Sequence, residues 1–251
     1  MDKHFLYNLQ ARAKQLVLNA WAWLRSQPSL KLVFIGIGAP TIIVTLLFLV
    51  FFIRTLGGHY GHMPEHAELA LVENSEASSV ISEDGELLGK YYRENRVSVD
   101  LAEISPYVTK ALIATEDSRF FEHQGIDLRA LCRVAWRYII LGDRSGGGGS
   151  TISQQLAKQL YPRRGGGKLG MIKIKMREMI VASRLEEVYD KQELLALYLN
   201  TVPFGENAYG IEVASGRLFS KSAVDLKVEE AAVLVGLLKA NTSYNPRTHS
   251  D

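Results

Sequence analysis

Two carboxylates stand side by side at Glu116 and Asp117, inside the stretch Ala-Thr-Glu-Asp-Ser-Arg-Phe-Phe-Glu-His-Gln-Gly at 114–125. Arg119, Phe120 and His123 follow closely. Upstream, Ser105-Pro106 reads as an N-cap followed by proline at the first helical position. Val108, Ala111, Leu112 and Thr115 then recur at helical spacing, which predicts one buried face and puts Glu116 at the helix C-terminus. The partial negative charge of a helix end, together with burial, disfavours the ionised form, so a carboxylate there is a better general base. A solvated Glu-Asp pair ending a surface helix is the plainer alternative.

A second concentration of chemistry begins at the glycine run 146–149 and Ser150. Gly-Gly-Gly-Gly-Ser is also a common flexible linker, but Thr-Ile-Ser-Gln-Gln-Leu-Ala-Lys runs straight on from it as a helix. This predicts Ser150 as the N-cap, with Gly149 and its neighbours letting backbone approach a ligand. The free N–H groups of such a helix start bind anions, phosphate above all. Thr151, Gln154 and Lys158 share a face, so a hydroxyl, an amide and a cation line up beside that anion site. A capped surface helix with ordinary polar residues has the same pattern. Further on, Lys175 and Glu178 stand three apart on a predicted helix and can meet. The loop at 161–168 reads as mobile and basic, suited to a pyrophosphate or to lipid headgroups.

The elements that must position these groups are mostly helices. Periodicity predicts them over 126–141 (with Trp136 and Tyr138), 171–189, 209–219 and 228–239. In the second, Ile172, Met176, Met179, Ile180, Ala182 and Leu185 supply the buried side; the last is nearly all apolar and is expected to be buried. Another helix starts at a capping box, Asp190 to Glu193, and carries Leu194, Leu195, Leu197, Tyr198 and Leu199; residues 200–205 read as a turn. Cys132, the single cysteine, falls among apolar residues and reads as a core thiol. Asp84-Gly85 between Val80-Ile81 and Leu87-Leu88 predicts a small hairpin that packs on the domain after it.

Residues 32–53 contain no charge. At about 1.5 Å per residue they span about 33 Å, close to the hydrocarbon thickness of a bilayer. Lys3, Arg12, Lys14, Arg25 and Lys31 precede this run and only Arg54 follows shortly. The positive-inside rule therefore puts the N-terminus in the cytoplasm and the rest outside. The predicted organisation is a juxtamembrane segment at 1–31 with Trp21 and Trp23 at headgroup level, a membrane helix at 32–53, a linker at 54–78 and a domain at 79–251. His59, His62 and His66 have spacings that could hold a metal on a helix, but Gly57, Gly58, Gly61 and Pro64 argue against a helix there. The net charge of +2 on 251 residues argues against a nucleic-acid-binding module.

Four blocks occur in one order: Ala-Thr-Glu-Asp-x-x-Phe-x-x-His-x-Gly from Ala114, Gly-Gly-Ser-Thr-Ile-Ser-Gln-Gln-x-x-Lys from Gly148, Lys-x-x-Glu from Lys175, and Tyr-Leu-Asn-Thr-Val-Pro-Phe-Gly from Tyr198. With them the chain resembles, over residues 80–247, the peptidoglycan glycosyltransferase family (glycosyltransferase family 51). That family includes monofunctional transglycosylases and the N-terminal domain of class A penicillin-binding proteins. The resemblance implies a mostly α, lysozyme-like helical domain with a small β-hairpin, preceded by one transmembrane helix. It implies polymerisation of lipid II into glycan strands, with inversion at the anomeric carbon and release of undecaprenyl pyrophosphate.

By the same resemblance Glu116 is the general base, and Glu178 positions the pyrophosphate or a divalent metal ion, Mg2+ by expectation. Lys158, Lys175 and Arg119 neutralise the leaving group. Asp117, Phe120 and His123 shape the site, while Gly149, Ser150, Thr151, Gln154 and Gln155 line the sugar and phosphate cleft. The family's Arg-Lys-x-x-Glu departs here: Ile174 holds the arginine position, with Lys173 and Arg177 near. Implied partners are lipid II, the growing strand, the cytoplasmic membrane as a single-pass anchor, and cell-wall synthesis proteins; no nucleic acid is expected. No Ser-x-x-Lys transpeptidase block follows, so the chain reads as monofunctional or as the front of a longer penicillin-binding protein. A lytic enzyme on the same scaffold, and a non-catalytic wall-binding protein, are the competing readings. The polymerase reading requires Glu116 and Glu178 to converge on one cleft walled by the glycine-preceded helix start.

Overall fold

The computed structural model describes residues 15, 18, 19, 22, 23, 26, 33–72, 78–91, 95–140, 142, 148–162 and 167–239. Most of the predicted juxtamembrane segment with its five cations, the basic loop at 163–166 and the tail from 240 lie outside the described residues. The chain forms two compact units, Met1–Gly57 and Gly58–Asp251.

In the first unit a π-helical turn, Phe34–Gly38, leads into helix α1 (Ala39–Leu56). Pro40 has no N–H to donate, and it sits in the first turn, where that group has no helical partner anyway. Thr41 and Thr45 donate their hydroxyls to the carbonyls of Ile37 and Thr41, at 2.7 and 2.9 Å. Apolar side chains face outward all round the helix, Val44 and Leu47 each 65% exposed. Water would not tolerate such a surface; lipid does. The stretch Gly36–Leu56 is long and apolar enough to cross a membrane. It continues past Ile53 and takes Arg54 into its last turn, where a cation suits the negative helix end.

The second unit opens with a docked strap where a linker was expected. Leu69, in the short helix α2 (His66–Leu69), is fully buried in the main core. Around it, Arg184 Nη1 donates to the Pro64 carbonyl at 2.6 Å and the Tyr189 hydroxyl donates to that of Leu69 at 2.7 Å. His62 and His66 pair with Glu68 and Glu187, both at 2.7 Å, and the Tyr161 hydroxyl donates to Glu68. Burial, then the charge of Glu68, pushes the Tyr161 hydroxyl up to about 12, so it stays a donor. Among the described residues no group of three metal-ligating side chains forms.

Strands β1 (Ser78–Ile81) and β2 (Leu87–Tyr91) make the expected antiparallel hairpin, turning at Gly85 with φ +87°. Of its described apolar side chains, Ile81 and Leu88 are exposed. A second sheet was not anticipated. It contains β3 (Asn95–Arg96), β4 (Pro203–Gly205) and β5 (Ala208–Tyr209), in the order β3-β5-β4. Residues 200–205 are thus a helix end and a strand, with left-handed Glu206 and Asn207 making the turn after them. Asn200 pairs with both backbone groups of Val99, accepting from its N–H and donating to its carbonyl, which ties this sheet to the helix before it.

Among the described residues the rest is carried by the α-helices α3 (Pro106–Glu116), α4 (Leu128–Ile140), α5 (Ile152–Leu160), α6 (Lys168–Val188), α7 (Lys191–Thr201), α8 (Ile211–Phe219) and α9 (Val228–Lys239). Ser105 caps α3 and also donates its hydroxyl to the Leu226 carbonyl; Asp190 and Glu193 form the expected capping box on α7. Helix α5 packs against α6 and α7, and α9 packs on α3. Ile152, Leu156, Leu185, Leu194, Leu199 and Leu234 close the core between them. Several predicted buried faces are instead open. Among the described side chains of α4 only Ala130 is buried, and Leu128, Cys132, Trp136 and Tyr138 are exposed, so Cys132 is a surface thiol. Ile172 on α6 and Val228 on α9 are exposed as well, and α9 buries one face only. Helical spacing identifies an apolar stripe but not whether a neighbour covers it.

Leu69→Ala should lower stability by about 2–5 kcal/mol, as expected for an apolar side chain removed from a closed core. Urea unfolding checks this, and a linker-like change near zero would show the strap to be undocked.

Candidate active site

The chain leaves α3 at Asp117 with φ −155° and ψ 73°, and the two adjacent carboxylates part company there. Glu116, half-buried, lines the cleft and accepts a hydrogen bond from Gln155 Nε2 at 2.8 Å. Asp117 is 7% exposed and works at the cleft's back wall. It accepts from His123 Nε2 at 3.0 Å and from the backbone N–H of Ile152 at 3.1 Å. Ile152 is the first residue of α5, so Asp117 fills part of the anion site predicted at that helix start. Thr151, not Ser150, is the N-cap: its hydroxyl oxygen accepts from the Gln154 N–H at 3.2 Å. Helix α5 therefore begins buried, with two of its first-turn N–H groups satisfied from within.

The same hydroxyl donates to the Gly125 carbonyl at 2.7 Å, and Gln154 Nε2 donates to that carbonyl at 3.3 Å. Gly125 has φ +80°, and a Cβ there would lie 2.7 Å from the Ala182 carbonyl. Only glycine fits. Thr151 and Gln154, assigned to the substrate, thus spend these groups on the loop after α3.

A cleft of about 560 Å³ opens in front of this scaffold. Glu116 and Glu178 both line it, together with Asp117, Arg119, Gly149, Ser150, Thr151, Gln154, Gln155, Lys158 and Lys175. The convergence demanded of the two glutamates is therefore met, and the wall is the loop before α5 more than its first turn. Phe120 and His123 do not line it. Phe120 is fully buried, Lys191 lies over its ring at 4.3 Å and donates to the His123 carbonyl, so both residues brace the loop from behind. At Gly149 the close approach is to α4, where a Cβ would meet Val134 at 3.3 Å.

Lys175 and Glu178 do meet, at 3.1 Å, and Lys175 Nζ also donates to Ser150 Oγ at 2.7 Å. Glu178 is only 5% exposed, so this is no solvated surface pair. One ammonium thus joins α6 to the glycine-rich loop. Arg119 grips Asp127 through Nε at 3.1 Å and through Nη2, and Asp127 in turn caps α4 at the Ala130 N–H. Burial alone would raise the Asp127 carboxyl, but the Arg119 hydrogen bond, the Ala130 N–H and the guanidinium charge hold it below its ordinary value. Arg119 is correspondingly less free for a substrate phosphate than expected.

Asp127, Arg133 and Lys239 also line the cleft and were not anticipated. Asp127 had a local signal, a good N-cap before an apolar-periodic run. Arg133 lay in the row Arg129, Arg133, Arg137, spaced four apart on one helical face. Lys239 had none, because its place depends on α9 packing on α3. Among the described residues Arg133, Lys158 and Lys239 have no carboxylate partner. The cations flanking Ile174 are occupied elsewhere. Lys173 sits over the Tyr60 ring at 4.5 Å and Arg177 over the Tyr161 ring at 5.7 Å.

A family model described as Transglycosylase matches residues 84–251, which contain every residue of this cleft. The chain belongs to the transglycosylase family. This is the peptidoglycan glycosyltransferase family whose four blocks the sequence carries. It is 41% identical over 175 residues to penicillin-binding protein 1F of Bacillus subtilis (strain 168), covering 70% of this chain and 24% of that protein. It is 39% identical over 186 residues to penicillin-binding protein 1A of Escherichia coli (strain K12), 73% of this chain and 21% of that one. Penicillin-binding protein 1A of Aquifex aeolicus (strain VF5) is 36% identical over 225 residues, 88% of this chain and 29% of that protein. The transglycosylase chain thus spans about a quarter of the length of these relatives.

Asp117→Ala should destabilise the transglycosylase fold by about 1–3 kcal/mol for each buried donor it strands, His123 Nε2 and the Ile152 N–H. Asp117→Asn keeps one acceptor oxygen and should cost less, both read by urea unfolding. The depressed Asp127 carboxyl stabilises the fold above its unfolded value of about 3.9, and that contribution disappears as pH falls through the folded value. Asp127→Asn should therefore flatten the loss of stability below about pH 4, measured as urea midpoints across acid pH.

Proposed function

We propose that this cleft polymerises lipid II into glycan strands, inverting the anomeric carbon and releasing undecaprenyl pyrophosphate. The observation that carries the reading is the arrival of Glu116 and Glu178 on one cleft among several cations. Glu116 takes the proton from the acceptor sugar's hydroxyl as that oxygen bonds to the donor's anomeric carbon. The bond from that carbon to the pyrophosphate oxygen breaks on the opposite face, and its electron pair leaves with the pyrophosphate. The departing charge needs neutralisation more than a proton. Lys158 and Lys175 supply it, and Arg133 takes the place that Ile174 leaves empty. Ser150, already bonded to Lys175, orients that ammonium.

Glu178 is a single carboxylate, which suits Mg2+ held through one or two protein oxygens and the substrate's own phosphates. Such an ion would add Lewis-acid charge stabilisation at the pyrophosphate. Helix α1 anchors the chain in the cytoplasmic membrane. The sequence's charge bias supports a cytoplasmic N-terminus with the domain on the extracytoplasmic face, where lipid II is presented and where other cell-wall synthesis proteins would meet it.

Purified lipid II tests the proposal. Wild type should form polymer, Glu116→Gln should slow it by about 100-fold or more, and a chelator should slow it without unfolding the protein. Arg133→Met should lower kcat/KM by about 10–100-fold, the loss expected for one charge-assisted contact. Cleavage of finished peptidoglycan with no polymer would establish the lytic reading instead.

A further inference from the structure

We infer that Tyr198 is a positioning residue for Glu116, acting through Gln155; this rests on the polymerase reading of the cleft. The Tyr198 hydroxyl donates to Gln155 Oε1 at 3.0 Å, and Gln155 Nε2 donates to Glu116 Oε2 at 2.8 Å. Tyr198 comes from α7, Gln155 from α5 and Glu116 from the end of α3. Only the outer two-thirds of this chain faces the cleft: Gln155 and Glu116 line it, whereas Tyr198 is 1% exposed and belongs to the core.

The direction of the chain follows from its ends. A carboxylate accepts hydrogen bonds and cannot donate them, so the amide must turn its NH2 toward Glu116. That leaves the amide oxygen facing the phenol, which has to donate. Burial, then the charge of Glu116, pushes the Tyr198 hydroxyl up from its ordinary value, so it keeps the proton it needs for this. The phenol ring is held on all sides by core packing and therefore acts as the fixed post. Gln155 on its own has a rotatable amide. A half-turn would set its oxygen against the carboxylate, acceptor against acceptor. With Tyr198 in place that half-turn also turns the amide NH2 toward the phenol, which could then only accept, and strands the buried phenolic proton. Hydrogen bonds in such a chain polarise one another in a low-dielectric interior, so each tightens the other.

For the reaction this means that one oxygen of Glu116 is pinned. Among the described residues the other, Oε1, has no protein partner and is the oxygen available to an acceptor hydroxyl. Placement of a base matters to the rate more than to substrate affinity, because the proton moves in the transition state and not on binding.

The test is the rate of lipid II polymerisation by the full chain over a range of lipid II concentrations, with urea unfolding alongside. Tyr198→Phe keeps the ring and removes only the hydroxyl. It should lower kcat about tenfold with KM within about twofold and little change in the unfolding midpoint. Gln155→Met should lower kcat at least as far. The double variant should be no slower than Gln155→Met alone, since the phenol acts only through the amide. An unchanged kcat in Tyr198→Phe overturns the inference, and so does a double variant whose loss is the product of the two single losses. Should Tyr198→Phe prove unstable, Gln155→Met decides alone: its phenol is intact, and a KM effect without a kcat effect overturns the inference. A wild-type chain that makes no polymer overturns the polymerase reading and this inference together. An active wild type beside an unimpaired Tyr198→Phe overturns this one only.

Discussion

A buried anion with two donors ranged against it, His123 Nε2 and the Ile152 N–H, ties the parts of the cleft together. Asp117 sits where α3 ends, accepts from the His123 ring and caps the first N–H of α5. A carboxylate taken out of water is costly unless its oxygens are hydrogen-bonded. Those bonds can be made only when the loop after α3, its histidine and the start of α5 have all reached their places. The adjacent Glu116 inherits that precision. Its own position is set by a neighbour whose surroundings allow no drift, and it can then face substrate without being held by substrate.

The cations divide in the same manner between structure and chemistry. Arg177 and Lys173 lie over tyrosine rings of the strap and of the α5 terminus, Lys191 braces the loop through Phe120 and the His123 carbonyl, and Arg119 is bound to Asp127. Lys175 stands between the two groups, bridging Glu178 and Ser150 while still on the cleft. Among the described residues lining the cleft, Arg133, Lys158 and Lys239 are the cations without a carboxylate partner. No arginine stands beside Lys175 at position 174, and α4 brings Arg133 to the cleft.

What was legible in the sequence was local. Ser105-Pro106, Asp190 with Glu193, and Asp84-Gly85 announce caps and a turn through contacts within a few residues, and each forms as read. The two glutamates were legible because the blocks around them are specific. The cap of α5 was placed one residue early, since Ser150 and Thr151 are both good caps and the choice is made by the distant Gly125 carbonyl. Phe120 and His123 were read as shaping the site around Glu116, and only packing shows that they stand behind the cleft. The strap was read as a linker from its glycines and histidines, yet Leu69 sits in the core and hydrogen bonds from Arg184 and Tyr189 hold its backbone. Tyr198 looked like one more apolar position on a helix, and nothing within its own segment points to Gln155.

The contact at Gly125 also limits how this enzyme can vary. Its α-carbon rests against the Ala182 main chain while its carbonyl holds Thr151 and Gln154. Between the post-helical loop and the long helix α6 there is consequently no room for a side chain at this position. Descendants of this sequence cannot change the spacing of these two segments by small steps at that residue.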